Sequence, residues 1–173
     1  MKAAVIHQNG GPDALHCEAP PDPVCAAAGG VIDVETVSIE GGGLPARLMT
    51  PPASAHAQQR AASAAMVWAR PDGLSTRHAA GVPVAFGTAH ECRFNAGDLQ
   101  RGQTALIRAG VLFATLLQAE YPPAHALVAD CLARGASGEL RLESAKVIAL
   151  SDAAQAHTRV EGRHAFGRVV MTT

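Results

Sequence analysis

Clusters of proline and glycine cut this chain into short lengths, and that division limits the elements it can build. Asn9-Gly10-Gly11-Pro12, Pro20-Pro21-Asp22-Pro23, Gly41-Gly42-Gly43, Pro51-Pro52, Pro71-Asp72-Gly73 and Pro122-Pro123 each stop a strand or helix. Proline fixes φ and removes a backbone donor, and paired turn residues favour reversals. Between these breaks, residues 2–7 alternate weakly and residues 15–18 can return beside them as a second strand. Residues 31–39 are rich in β-branched side chains and form the clearest strand of the first half. These segments read as a small antiparallel unit. Residues 51–65 hold no bulky apolar side chain, so the pattern leaves both a loop and an alanine-driven helix open there.

The second half alternates helix and strand. Ser75 is placed to cap a helix from about Thr76, with Pro83 expected to kink or restart it and the helix running on to end near Gly97. Thr104-Ala105-Leu106-Ile107 reads as a short strand, and residues 111–119 are apolar on most sides until Pro122-Pro123 stop them. Residues 125–134 predict an amphipathic helix with Leu127, Val128, Cys131 and Leu132 on one face and Gly135 just past its end. Residues 140–150 hold a strand around Val147-Ile148. Ser151 or Asp152 then caps a helix to about Val160, Gly162 ends it, and Gly167-Arg168-Val169-Val170-Met171 is a final strand. The expectation is a mixed α/β (α+β) chain forming one compact unit over residues 1–173, with no internal repeat and no dividing linker.

Bulk is scarce. The apolar fraction is 48%, yet 36 of those residues are Ala, and Leu, Ile, Val and Phe together number 37. Alanine removes little area from water, at roughly 25 cal/mol per Å², so a monomeric core is thin and a homo-oligomer is expected. The formal charge of -1 is well mixed and aromatic residues make up 3%, which offers nucleic acid neither a basic stripe nor a stacking platform. No run approaches the ~18 apolar residues of a membrane span, and Met1-Lys2-Ala3-Ala4-Val5-Ile6 reads as a strand rather than a leader. A cytoplasmic location is the expectation.

The reactive residues form few motifs. Cys17, Cys25, Cys92 and Cys131 include no C-x-x-C pair, and buried thiols are expected for most of them. His90-Glu91 lacks the second His of a zinc helix, no serine lies in a G-x-S-x-G elbow, and Gly41-Gly42-Gly43 lacks the Lys-Ser/Thr sequel of a phosphate loop. No metal site is expected.

Five phrases in order carry a family likeness. They are Met1-Lys2-Ala3-Ala4-Val5 with Gly10-Gly11-Pro12-Asp13 and Pro21-Asp22-Pro23; Val34-Glu35-Thr36-Val37-Ser38-Ile39-Glu40-Gly41-Gly42; and Trp68-Ala69-Arg70-Pro71-Asp72-Gly73-Leu74-Ser75. Next comes Val82-Pro83-Val84-Ala85-Phe86-Gly87-Thr88-Ala89 with Leu99-Gln100-Arg101-Gly102-Gln103-Thr104-Ala105-Leu106-Ile107. Last are Leu150-Ser151-Asp152-Ala153-Ala154-Gln155-Ala156-His157 and Phe166-Gly167-Arg168-Val169-Val170. In this order the chain resembles the zinc-free, quinone-oxidoreductase-like branch of the medium-chain dehydrogenase/reductase superfamily, over most of its length except roughly residues 53–65.

The resemblance implies a partial GroES-like β unit over residues 1–70, joined to vestigial Rossmann segments over 71–139 and a closing strand–helix–strand over 140–173. It implies hydride transfer from NADPH to a small quinone or alkenal without a metal. It places Glu40 at the substrate cleft as the candidate catalytic residue and Thr88 beside the nicotinamide as the candidate cofactor-binding residue. It also implies two internal excisions, one after residue 110 and one between Pro52 and Met66. After Ile107 the family's glycine-rich turn is reduced to Gly110, followed by Val111-Leu112-Phe113. That turn normally lets backbone N–H groups approach a pyrophosphate. Asp130 follows Gly110 by the interval of a ribose-binding carboxylate, but Pro122-Pro123 breaks the intervening stretch. Two readings follow: a zinc-independent oxidoreductase, or a non-catalytic remnant acting as a small dimerising or binding module.

Overall fold

The computed structural model describes residues 1–8, 10–25, 27–39, 56–95, 97–104, 122–162 and 167–173. The opening strands form as the alternation predicts. β1 (Ala3–Ile6) and β2 (Leu15–Glu18) pair antiparallel, Ala3 opposite Glu18 and Ile6 opposite Leu15, around a 3-10 turn at Pro12–Ala14.

The run at residues 31–39 is two strands, not one. β3 (Gly29–Asp33) and β4 (Thr36–Ile39) are separated at Val34-Glu35 and enter different sheets. β3 pairs antiparallel with β5 (Gln59–Ser63), a strand in the stretch where the sequence pattern left loop or helix open. Pairing accounts for β5. Just before it, the Ala4 amide donates to the His56 carbonyl and the Gln58 amide to the Lys2 carbonyl, so residues 56–63 run extended from β1 to β3. Backbone partners on both sides outweigh the weak strand preference of Gln, Arg and Ala.

α1 (Thr76–His90) passes through Pro83 and continues into one wider turn at Glu91–Asn95. Ser75 caps it as expected, its hydroxyl accepting the His78 amide at 3.3 Å. α2 (Pro122–Ala136) starts at the prolines that were expected only to stop the preceding segment, a favoured place for proline in a helix's first turn. Gly135 lies inside α2 instead of ending it, and a Cβ there would stand 3.3 Å from Leu74 Cδ1. The positive-φ residue past the helix is Gly138, at φ 80°.

The closing segment matches its pattern, except that Asp152 stands at the start of the helix without a capping side-chain hydrogen bond. β6 (Ser144–Ala149), α3 (Ala153–Glu161) and β7 (Arg168–Thr172) form a crossover in which β6 and β7 lie parallel. On the other side of β7 lies β4, antiparallel, with Thr36 opposite Thr172 and Ile39 opposite Val169. β7 is therefore the central strand of a three-stranded sheet, order β4-β7-β6.

Two apolar clusters result. Ala4, Leu15, Ile39, Ile148, Leu150, Ala153, Ala156, Val169 and Met171 join β1, β2 and the three-stranded sheet to α3. Leu74, Val82, Val128, Cys131 and Leu132 hold α1 against α2, on the face of α2 that its periodicity predicts. A buried pair of imidazoles ties the first cluster across the chain. His56 Nε2 and His157 Nε2 are 2.9 Å apart, with ring centres 5.1 Å apart and planes 20° from parallel. The nitrogens are much closer than the ring centres, so the rings meet nitrogen to nitrogen. One Nε2 donates and the other accepts, so the accepting ring carries its proton on Nδ1.

Candidate functional site

α1 packs on β4 and β7 as well as on α2, and Thr88 lies on its last turn. The Thr88 hydroxyl oxygen is buried and has no hydrogen-bond partner. A helical threonine usually satisfies itself on the carbonyl four residues back, as Thr158 does on Ala154 at 2.9 Å. Thr88 does not. His90 Nδ1 is likewise buried and unpartnered two residues on, its ring tilted against Phe94 at 4.9 Å, and Thr36 Oγ1 in β4 is a third such atom. Leaving one buried hydroxyl unsatisfied costs roughly 1–3 kcal/mol.

Glu40 lies outside the described residues. Its chain neighbour Ile39 ends β4 and lines a cleft of about 470 Å³ together with Arg141, Leu142, Glu143, Val160, Gly167, Arg168 and Val169. Thr88 is not among the described residues lining this cleft. α1 reaches it through Gly81, where a Cβ would stand 2.4 Å from Leu142 Cδ2. Arg168 opens β7 and its amide donates to the Glu143 carbonyl at 2.8 Å. Burial holds its guanidinium below its ordinary value. Arg141 is exposed and its Nε donates to the Gly138 carbonyl at 3.4 Å. The two arginines escaped the sequence reading, because they flank different strands and no motif links them.

The cysteines differ from expectation. Cys17 and Cys25 are exposed, Cys92 is half-buried, and Cys131 alone is buried. Burial pushes the Cys131 thiol up, the Asp130 charge adds to this, and Arg134 opposes it. A thiol so placed stays protonated and unreactive. Asp130 is on α2, its carboxylate 2.9 Å from Arg134 Nε one turn on, which accounts for it as a surface ion pair. Among the described residues no three His, Cys, Asp or Glu side chains come together as a metal-binding group. No described helix is long and apolar enough to cross a membrane. The strand that the sequence predicts at 104–107 and the segment after Ile107 fall outside the described residues, apart from Thr104.

No protein-family model matches the sequence, and no curated protein is similar to it. Solved structures are similar in fold. An NAD-dependent alcohol dehydrogenase superposes with a TM-score of 0.77 at 14% identity, covering 100% of both chains. The human synaptic vesicle membrane protein VAT-1 homolog-like protein gives 0.82 at 12% identity, covering 100% of this chain and 98% of that one. Mycobacterial Rv1454c, solved in complex with NADPH, gives 0.73 at 14% identity with both chains fully covered. The chain thus has a mixed α/β fold that is similar over its full length to these solved structures.

Proposed function

We propose that the chain is a zinc-free NAD(P)H-dependent oxidoreductase of the quinone or alkenal reductase kind, shortened internally relative to the full-length fold. The observation that carries this reading is the unpartnered hydroxyl of Thr88. It lies where the family likeness puts the nicotinamide, and a carboxamide offers both a donor and an acceptor to match it. The donor set therefore fits the cofactor at this point. When bound, the nicotinamide supplies the hydride. Thr88 holds and orients the carboxamide, and Glu40 orients a substrate oxygen or carries its proton. Ser38-Ile39-Glu40 has no Cys where the zinc-dependent relatives carry a ligand, so these roles need no metal.

The second reading, a non-catalytic binding or dimerising module, draws on Gly110 as the lone glycine between Ile107 and Pro122 and on Asp130 being engaged by Arg134. Fluorescence titration with NADPH separates the two. The oxidoreductase gives saturable binding, and Thr88→Val raises Kd about fivefold, the loss of one hydrogen bond of ~1 kcal/mol. No saturation up to millimolar NADPH selects the module.

The protein works as a homodimer on either reading. β3 leaves Val31 and Ile32 44% and 40% exposed, and among the described residues β4 and β6 are the outer strands of their sheet, which supports a partner covering apolar surface and backbone edges. Light scattering on the eluting protein should give about twice the chain mass of 17.7 kDa. A single-chain mass at micromolar concentration removes the dimer.

A further inference from the structure

The cleft beside Ile39 combines features that the hydride-transfer reading does not use. Its aliphatic lining is Ile39 and Val169, 2% and 1% exposed, with the half-buried Leu142 and Val160. The lining also includes Arg141 and Arg168, with Glu143 between them in sequence. About 470 Å³ is within the range of small-molecule sites, roughly 300–1,000 Å³.

We propose that this cleft binds a small aliphatic monocarboxylate, its carboxylate held by Arg141 and Arg168 and its hydrocarbon body against Ile39, Leu142, Val160 and Val169. Guanidinium groups match carboxylate geometry with two parallel N–H donors. Among the described residues the ionisable lining (Arg141, Arg168 and Glu143) sums to one positive charge, which suits a single carboxylate and disfavours a dianion such as phosphate. Arg168 already makes an interaction within the protein. A guanidinium has five donors, so it can serve a ligand as well. Its partial burial strengthens the case, because a cation short of water gains most from an added anion. The inference does not depend on NADPH and is tested without it.

Calorimetric titration of the full chain with butanoate, hexanoate and octanoate is the experiment, with hexanol and inorganic phosphate as comparisons. Affinity should rise with chain length until the cleft is filled, with hexanol and phosphate at least tenfold weaker than hexanoate. Arg141→Gln is the primary variant, since Arg141 is exposed and its loss leaves the core untouched. It should weaken hexanoate roughly 10- to 100-fold, the range for a charge-assisted hydrogen bond. Arg168→Lys keeps the charge but not the paired donors and should weaken it by less. Absence of saturable hexanoate binding overturns the proposal, as does unchanged affinity in R141Q. Phosphate binding as tightly as hexanoate overturns it too, in favour of an unselective anion site.

Discussion

Met171→Ala is expected to lower the unfolding free energy by about 2–5 kcal/mol, the range for truncating a fully buried methionine. Met171 is 0% exposed, in the central strand β7, and packs in the cluster that joins both outer strands' neighbours to α3. Net stabilities are only about 5–15 kcal/mol. With alanine supplying so much of the apolar count, little else can close around the vacancy. Urea unfolding should show a lower midpoint at an unchanged slope. An unchanged midpoint would mean that the sheet is not the structural centre described above.

The second large effect concerns the imidazole pair. His157→Leu should destabilise the protein by about 1–3 kcal/mol, because it leaves His56 Nε2 buried without the partner it has at 2.9 Å. The paired replacement His56→Leu/His157→Leu should recover part of that loss, as removing both partners of a buried hydrogen bond costs less than removing one. The measurement is a double-mutant cycle by urea titration. Strict additivity of the two single changes would show that the rings do not interact energetically.

What could be read in the sequence follows local chemistry. β1, β2, α3 and β7 were legible because turn residues and β-branched or amphipathic patterns agree there. The Ser75 cap was legible because a hydroxyl before a helix has one good use. β5 was not, since Gln59-Arg60-Ala61-Ala62-Ser63 has no strand chemistry of its own and depends on distant partners. The break at Val34-Glu35 was equally hidden. Both halves of that run prefer strand, and only the surrounding sheets decide that they part. Gly135 misled because a glycine packed closely against a neighbouring side chain looks like one that ends a helix. The candidate site divides the same way. Thr88 was found through a family phrase, and the structure adds that its hydroxyl lacks a partner. The Arg141–Arg168 cleft depends on the β6–β7 crossover and left no mark in the order of residues.

The pairing of β4 with β7 also governs when folding can finish. Thr36 meets Thr172 across nearly the whole chain, so the loop to be closed is long and the contact is among the most non-local available. On the ribosome, β4 waits without its neighbour until β7 emerges. The nascent chain carries an open strand edge until then, which makes chaperone dependence and aggregation during expression the expected behaviour of this fold.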